Sequence, residues 1–106
     1  MRTLVALCCF AIAGVALADD PTFEIAIRDH RFVPNEITVP AGQKVKLVVR
    51  NEDATPEEFE SKRLNREKVI PGRSQASIYV GPLKSGEYPF VGEFNESTAT
   101  GKIIVK

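Results

Sequence analysis

A chain of 106 residues has room for one small hydrophobic core and not for two. Fourteen basic residues balance fourteen acidic ones, which argues against a basic nucleic-acid-binding surface. A hydrophobic content of 43 %, with seven Gly and seven Pro spread along the chain, argues against a disordered polymer.

The chain opens with Arg2 and a run of apolar and small residues from Leu4 to Ala18. It ends in Ala16-Leu17-Ala18 before the polar Asp19-Asp20-Pro21. This pattern predicts a cleaved secretory signal peptide over 1–18, and hence an exported protein, which the resemblance described below would place in the periplasm. The run is short for a membrane span, which needs about 20 residues. A lipoprotein signal is disfavoured, because bulky Leu7 precedes Cys8 and the apolar run continues past Cys9. Removing eighteen of the 106 residues leaves 88, residues 19–106, as a single domain. Both cysteines and the only Met leave with the leader, so the mature domain has no disulfide, thiolate or thioether.

From Phe23 onward the apolar residues alternate in twos: Phe23, Ile25 and Ile27; Val45, Leu47 and Val49; Ala76, Ile78 and Val80; Tyr88 and Phe90; Ile103 and Val105. Turn signals separate them at Val33-Pro34-Asn35, Pro40-Ala41-Gly42, Asn51-Glu52-Asp53, Pro71-Gly72 and Lys84-Ser85-Gly86. The expected fold is all-β, an antiparallel Greek-key sandwich of about seven or eight strands. Residues 57–68 fit no single period and remain open between strand, loop and a helical turn. Tyr88, two residues after Gly86, is placed for a tyrosine corner.

Phe32-Val33-Pro34-Asn35, Ile37-Thr38-Val39-Pro40-Ala41-Gly42, the strand Lys44 to Asn51, Gly86-Glu87-Tyr88-Pro89-Phe90 and the closing Gly101 to Val105 together resemble the cupredoxin domain. Glu58-Phe59-Glu60-Ser61, Glu67 to Gly72, Phe90 to Asn95 and Thr98 to Gly101 resemble a subgroup within it. These are the cupredoxin-like periplasmic proteins that accompany bacterial high-affinity iron permeases. The resemblance implies an accessory of metal uptake, with iron as cargo, assisting ferrous oxidation or delivery. Its partner would be an inner-membrane iron permease or another periplasmic iron-uptake protein. The four blue-copper ligands are absent: their places fall near Glu57, Gly92, Asn95 and Thr100, so a type 1 copper site is excluded.

The same likeness gathers His30, Glu57 or Glu58, Glu93 and Asn95 at one end of the sandwich, with Glu96 nearby. Imidazole and carboxylate there would suit a transition metal such as iron or divalent copper. Strand alternation lets only one of Glu57 and Glu58 face a given site. Blander readings stand beside this one. His30 is equally expected as a turn residue, and Glu57, Glu58 and Glu60 could form a solvated charged face with Lys62, Arg63 and Arg66. Asn95-Glu96-Ser97 is formally a glycosylation acceptor, attributed to chance. No hydrolase or transferase constellation is present: the lone His lacks a supporting Ser and Asp spacing, and no Gly-rich phosphate loop leads into a helix. Two other functions stay open: a metal-free docking module with Phe94 as its anchor, and an electron-transfer protein with a non-blue copper centre.

Overall fold

The computed structural model describes residues 20–106, so the leader expected over 1–18 lies outside the described residues. Nine strands form among the described residues: β1 Thr22–Arg28, β2 Arg31–Val33, β3 Glu36–Val39, β4 Val45–Asn51, β5 Glu57–Ser61, β6 Arg66–Ile70, β7 Ser74–Val80, β8 Gly86–Gly92 and β9 Thr100–Val105. A single 3-10 turn, Glu93–Asn95, separates β8 from β9. No helix among the described residues is long and apolar enough to cross a membrane.

The strands make two sheets, β2-β1-β4-β7 and β3-β9-β8-β5-β6. The expected two-sheet β-sandwich is therefore present, with two differences. There are nine strands, and both sheets are mixed: β1 runs parallel to β4, and β3 parallel to β9. A period of two tells which side chain faces inward, but not the direction of the neighbouring strand. Direction follows from the chain changing sheets between β2 and β3. Pro34, which lacks an N–H, interrupts the ladder there.

Alternation works as the sequence implies. Val45, Leu47 and Val49 of β4 are buried beside Ile25 and Ile27 of β1, facing Phe59, Phe90 and Ile103 of the other sheet. Phe90 lies between Phe32, in an edge contact at 4.9 Å, and Phe59, stacked at 4.9 Å between ring centroids. The tyrosine corner forms, the Tyr88 hydroxyl donating to the Lys84 carbonyl at 2.7 Å.

The segment left open becomes the β5–β6 hairpin. Its turn closes with the Asn65 N–H on the Lys62 carbonyl at 3.0 Å, and Asn65 takes a left-handed φ of 56° that Asn tolerates. Leu64 tucks into the core from this turn, which scrambles the strand period in the sequence. At the opposite end Asn51 is buried. Its amide donates to the carbonyls of Thr55 at 2.8 Å and Ile70 at 3.1 Å, tying β4 to the hairpin.

Candidate metal centre

The five residues expected to gather are divided among three places. His30 occupies the two-residue turn between β1 and β2. Asp29 and His30 have φ of 51° and 59°, the consecutive left-handed pair of a type I′ hairpin. The Asp53 carboxylate holds that turn, accepting from the Asp29 N–H at 2.8 Å and the His30 N–H at 3.0 Å. The imidazole Nδ1 is 3.7 Å from the same carboxylate and half exposed. His30 thus stands in a turn, and the Thr98 hydroxyl, 2.6 Å from its carbonyl and 3.4 Å from that of Asn95, joins this turn to the loop after β8.

Glu57 points into the sandwich and is 1 % exposed. Its Oε1 accepts from the Phe94 N–H at 2.9 Å and from the Glu58 N–H at 3.0 Å, and its Oε2 from the Asn95 side-chain amide at 2.6 Å. Three donors around one buried carboxylate satisfy it and tie β5 to the 3-10 turn. Glu57 and Asn95 therefore engage each other rather than facing outward as ligands. Where the cupredoxin likeness expects the thiolate, Gly92 closes against the same group. A Cβ on Gly92 would lie 2.7 Å from Ala99 Cβ and 2.8 Å from Glu57 Cδ. The interior pole is filled by protein, and its residues do not fit a copper ion.

Glu58 and Glu93 do meet, on the outer face of the five-stranded sheet, with Glu60 and Glu67. One carboxylate oxygen from each lies within 4.8 Å of the others. The register explains the grouping. Glu60 pairs directly with Glu67 across β5–β6, and the β5–β8 ladder through Phe59–Gly92 brings Glu93 beside Glu58. Glu58 is only 8 % exposed, and no N–H or hydroxyl among the described residues donates to its carboxylate. No Lys or Arg lies within 4.0 Å of any of the four acids among the described residues. Glu60 and Glu67 do share an exposed face with Lys62 and Arg66, and Glu60 shares a groove with Lys62 and Arg63, but no close ion pair forms on it. Arg66 instead donates to the Tyr79 carbonyl at 2.9 Å.

Crowding of like charge has the usual electrostatic consequence. A hydrogen bond that the protonated Glu58 carboxyl donates to Glu93, then burial, then the charges of Glu67, Glu93 and Glu60 push the Glu58 carboxyl up to about 7. Burial and the charges of Glu93 and Glu67 also raise Glu60, against an opposing pull from Lys62. Like charges opposite one another on a sheet are destabilising unless a counter-charge joins them. Hard cations sit about 2.0–2.6 Å from oxygen, so oxygens sharing one lie up to about 5 Å apart, a span these four meet. An all-oxygen donor set suits iron, manganese, calcium or magnesium and does not suit monovalent copper.

Glu67 was not a candidate from sequence, and Glu60 appeared only in the charged-face reading. Once the turn at residues 62–65 is known, their cross-strand pairing follows, but the sequence period hides that turn.

Comparison with known proteins bears on the fold. A family model described as a cupredoxin-like domain matches residues 1–105. An uncharacterised protein of Rickettsia prowazekii (strain Madrid E) is 46 % identical over 82 residues. That match covers 77 % of this chain and 66 % of the relative, slightly under two thirds of its length. Auracyanin A, a "blue" copper protein of Chloroflexus aurantiacus, superposes with a TM-score of 0.70 at 16 % identity, covering 83 % of this chain and 100 % of that one. The metal-binding domain of the copper(I)-exporting P-type ATPase of Streptococcus pneumoniae gives 0.70 at 14 % identity, covering 86 % and 91 %. A reduced amicyanin variant gives 0.66 at 18 % identity, covering 92 % and 90 %. At such identities these structures speak for the fold alone.

Proposed function

The chain belongs to the cupredoxin-like domain family, and from that premise we propose that it is an exported metal-binding module. In this reading it holds a hard transition-metal cation through Glu58, Glu60, Glu67 and Glu93, and serves iron uptake in the periplasm. The observation that carries the proposal is the convergence of four carboxylates within 4.8 Å around a buried Glu58 with no donor outside the cluster among the described residues. Oxygen-only ligation holds ferric iron more tightly than ferrous, because the harder ion gains more from anionic oxygen. The site would thereby hold ferric iron in preference to ferrous during delivery to a permease. The interior pole, where the family likeness would put a type 1 copper, is occupied by Glu57.

Calorimetric titration of the purified protein with ferrous iron under nitrogen, and separately with cupric copper, tests the proposal. The expected result is one saturable ferrous site, weakened at least tenfold by Glu93→Gln and by Glu58→Gln and unchanged by His30→Ala. A tenfold loss in His30→Ala with Glu93→Gln unaffected would move the site to the β1–β2 turn. Absence of any micromolar binding, about −8 kcal/mol, would favour the second reading, a metal-free docking module. That reading draws on Phe94, 52 % exposed above the Glu57 anchor.

A further inference from the structure

Beside the carboxylate cluster the sheet opens into a groove of about 610 Å³, lined among others by Glu60, Lys62, Arg63, Pro89, Val91 and Glu93. Its origin is local. The β5–β8 ladder runs only through Phe59–Gly92 and Glu60–Val91, and the next position on β8 facing the gap is Pro89, which has no N–H to donate. The Ser61 hydroxyl caps the end of the pairing by donating to the Pro89 carbonyl at 2.7 Å, and beyond it the β5–β6 turn diverges from β8. Glu60 and Glu93 belong to both the cluster and the groove, so the groove leads directly to the cation position.

The groove carries two cations that its own acids leave alone. Among the described residues no carboxylate lies within 4.0 Å of the Lys62 ammonium or the Arg63 guanidinium. Arg63 is held by stacking, its guanidinium carbon 4.6 Å from the Tyr88 ring centroid, and that ring is fixed in turn by the hydroxyl bond to Lys84. Stacking occupies the face of a guanidinium and leaves its edge donors available to a carboxylate. The volume falls in the range of about 300–1,000 Å³ usual for small-ligand sites.

Acids (Glu60, Glu93 and Glu96) and bases without a close carboxylate partner (Lys62 and Arg63), around apolar Pro89, Phe90 and Val91, match a ligand with a positive centre and negative periphery. We propose that the groove binds the cation as its complex with a small polycarboxylate: Glu60 and Glu93 approach the metal, and Lys62 and Arg63 pair with the chelator's carboxylates. This rests on the cluster being a cation site. It adds that the metal arrives with its chelator rather than bare, and no bond is made or broken beyond exchange of metal ligands. The metal-free chelator, an anion without a positive centre, meets repulsion from the four carboxylates and binds poorly.

The test uses the full protein and three probes: ferrous iron alone under nitrogen, radiolabelled citrate alone, and ferric citrate carrying the same label. Retention of label by the protein at equilibrium reports the chelator, and iron content reports the metal. Ferric citrate is expected to retain citrate at least tenfold more tightly than citrate alone. The double change Lys62→Gln with Arg63→Gln lowers that affinity at least tenfold and does not weaken ferrous binding. Glu93→Gln lowers both, and Lys62→Gln alone, a surface change, gives a smaller loss in the same direction. Iron retained without labelled citrate, or a double variant that holds ferric citrate like the parent, overturns the inference and leaves the cation site standing. A protein that binds neither iron probe overturns the cation site as well.

Discussion

Glu57→Ala is the change that most directly tests how this pole is held without a metal. The side chain is fully enclosed and accepts from two backbone N–H groups and from the Asn95 amide, at 2.9, 3.0 and 2.6 Å. Hydrogen bonds to a carboxylate contribute roughly 1.5–3 kcal/mol each, and donors left buried without partners add a desolvation penalty. The three bonds are not additive, and the Phe94 N–H is partly accessible to water. Glu57→Ala is therefore expected to cost about 3–5 kcal/mol, a large fraction of the roughly 5–15 kcal/mol that stabilises a domain of this size. The melting temperature should fall by roughly 15–30 °C. With no Trp in the chain, urea unfolding followed by circular dichroism and tyrosine fluorescence is the suitable assay. Glu57→Gln keeps Oε1 for the two backbone donors but sets an amide against the Asn95 amide. Combining it with Asn95→Asp exchanges donor and acceptor and should recover about 1 kcal/mol relative to the sum of the single changes. A cost below about 1 kcal/mol for Glu57→Ala would refute the view that this carboxylate ties β5 to the 3-10 turn.

Gly92→Ala places a Cβ 2.7 Å from Ala99 Cβ and 2.8 Å from Glu57 Cδ, and should destabilise by at least the roughly 1–3 kcal/mol of core overpacking. In a Glu57→Ala background the added cost in urea should shrink, and strict additivity would show that the Glu57 contact is not the obstacle. For pH the sign follows from Glu58, whose carboxyl in the folded chain titrates at about 7 against 4.5 when unperturbed. Between those values the folded chain binds the proton more tightly than the unfolded one. The stability this confers is complete below about pH 4.5 and is lost as pH rises through about 7. Urea midpoints in metal-free buffer should thus fall from pH 5 to pH 8, and Glu58→Gln should flatten the slope. A midpoint that rises over this interval would contradict the raised carboxyl.

By itself the sequence determined the class of fold and much of what the protein cannot be. The alternation of Val45, Leu47 and Val49 and of Ile103 and Val105 specifies strands with one buried face, because side chains on a strand alternate whatever the partner. The Gly86 to Tyr88 spacing specified the tyrosine corner, a contact only four residues long. The absence of Cys and Met from residues 19–106 leaves the described domain without a thiolate or thioether of its own for copper. Tertiary structure decided the rest. Parallel pairing of β1 with β4 and β3 with β9 depends on where the chain crosses between sheets, which no local period records. Glu57 and Glu58 are adjacent in sequence, and alternation says only that they part. It took packing of the second sheet to make Glu57 an internal tie and Glu58 the buried member of an acidic cluster. Glu67 joined that cluster because a four-residue turn set the hairpin register, and one residue of slip would have turned it to the opposite face.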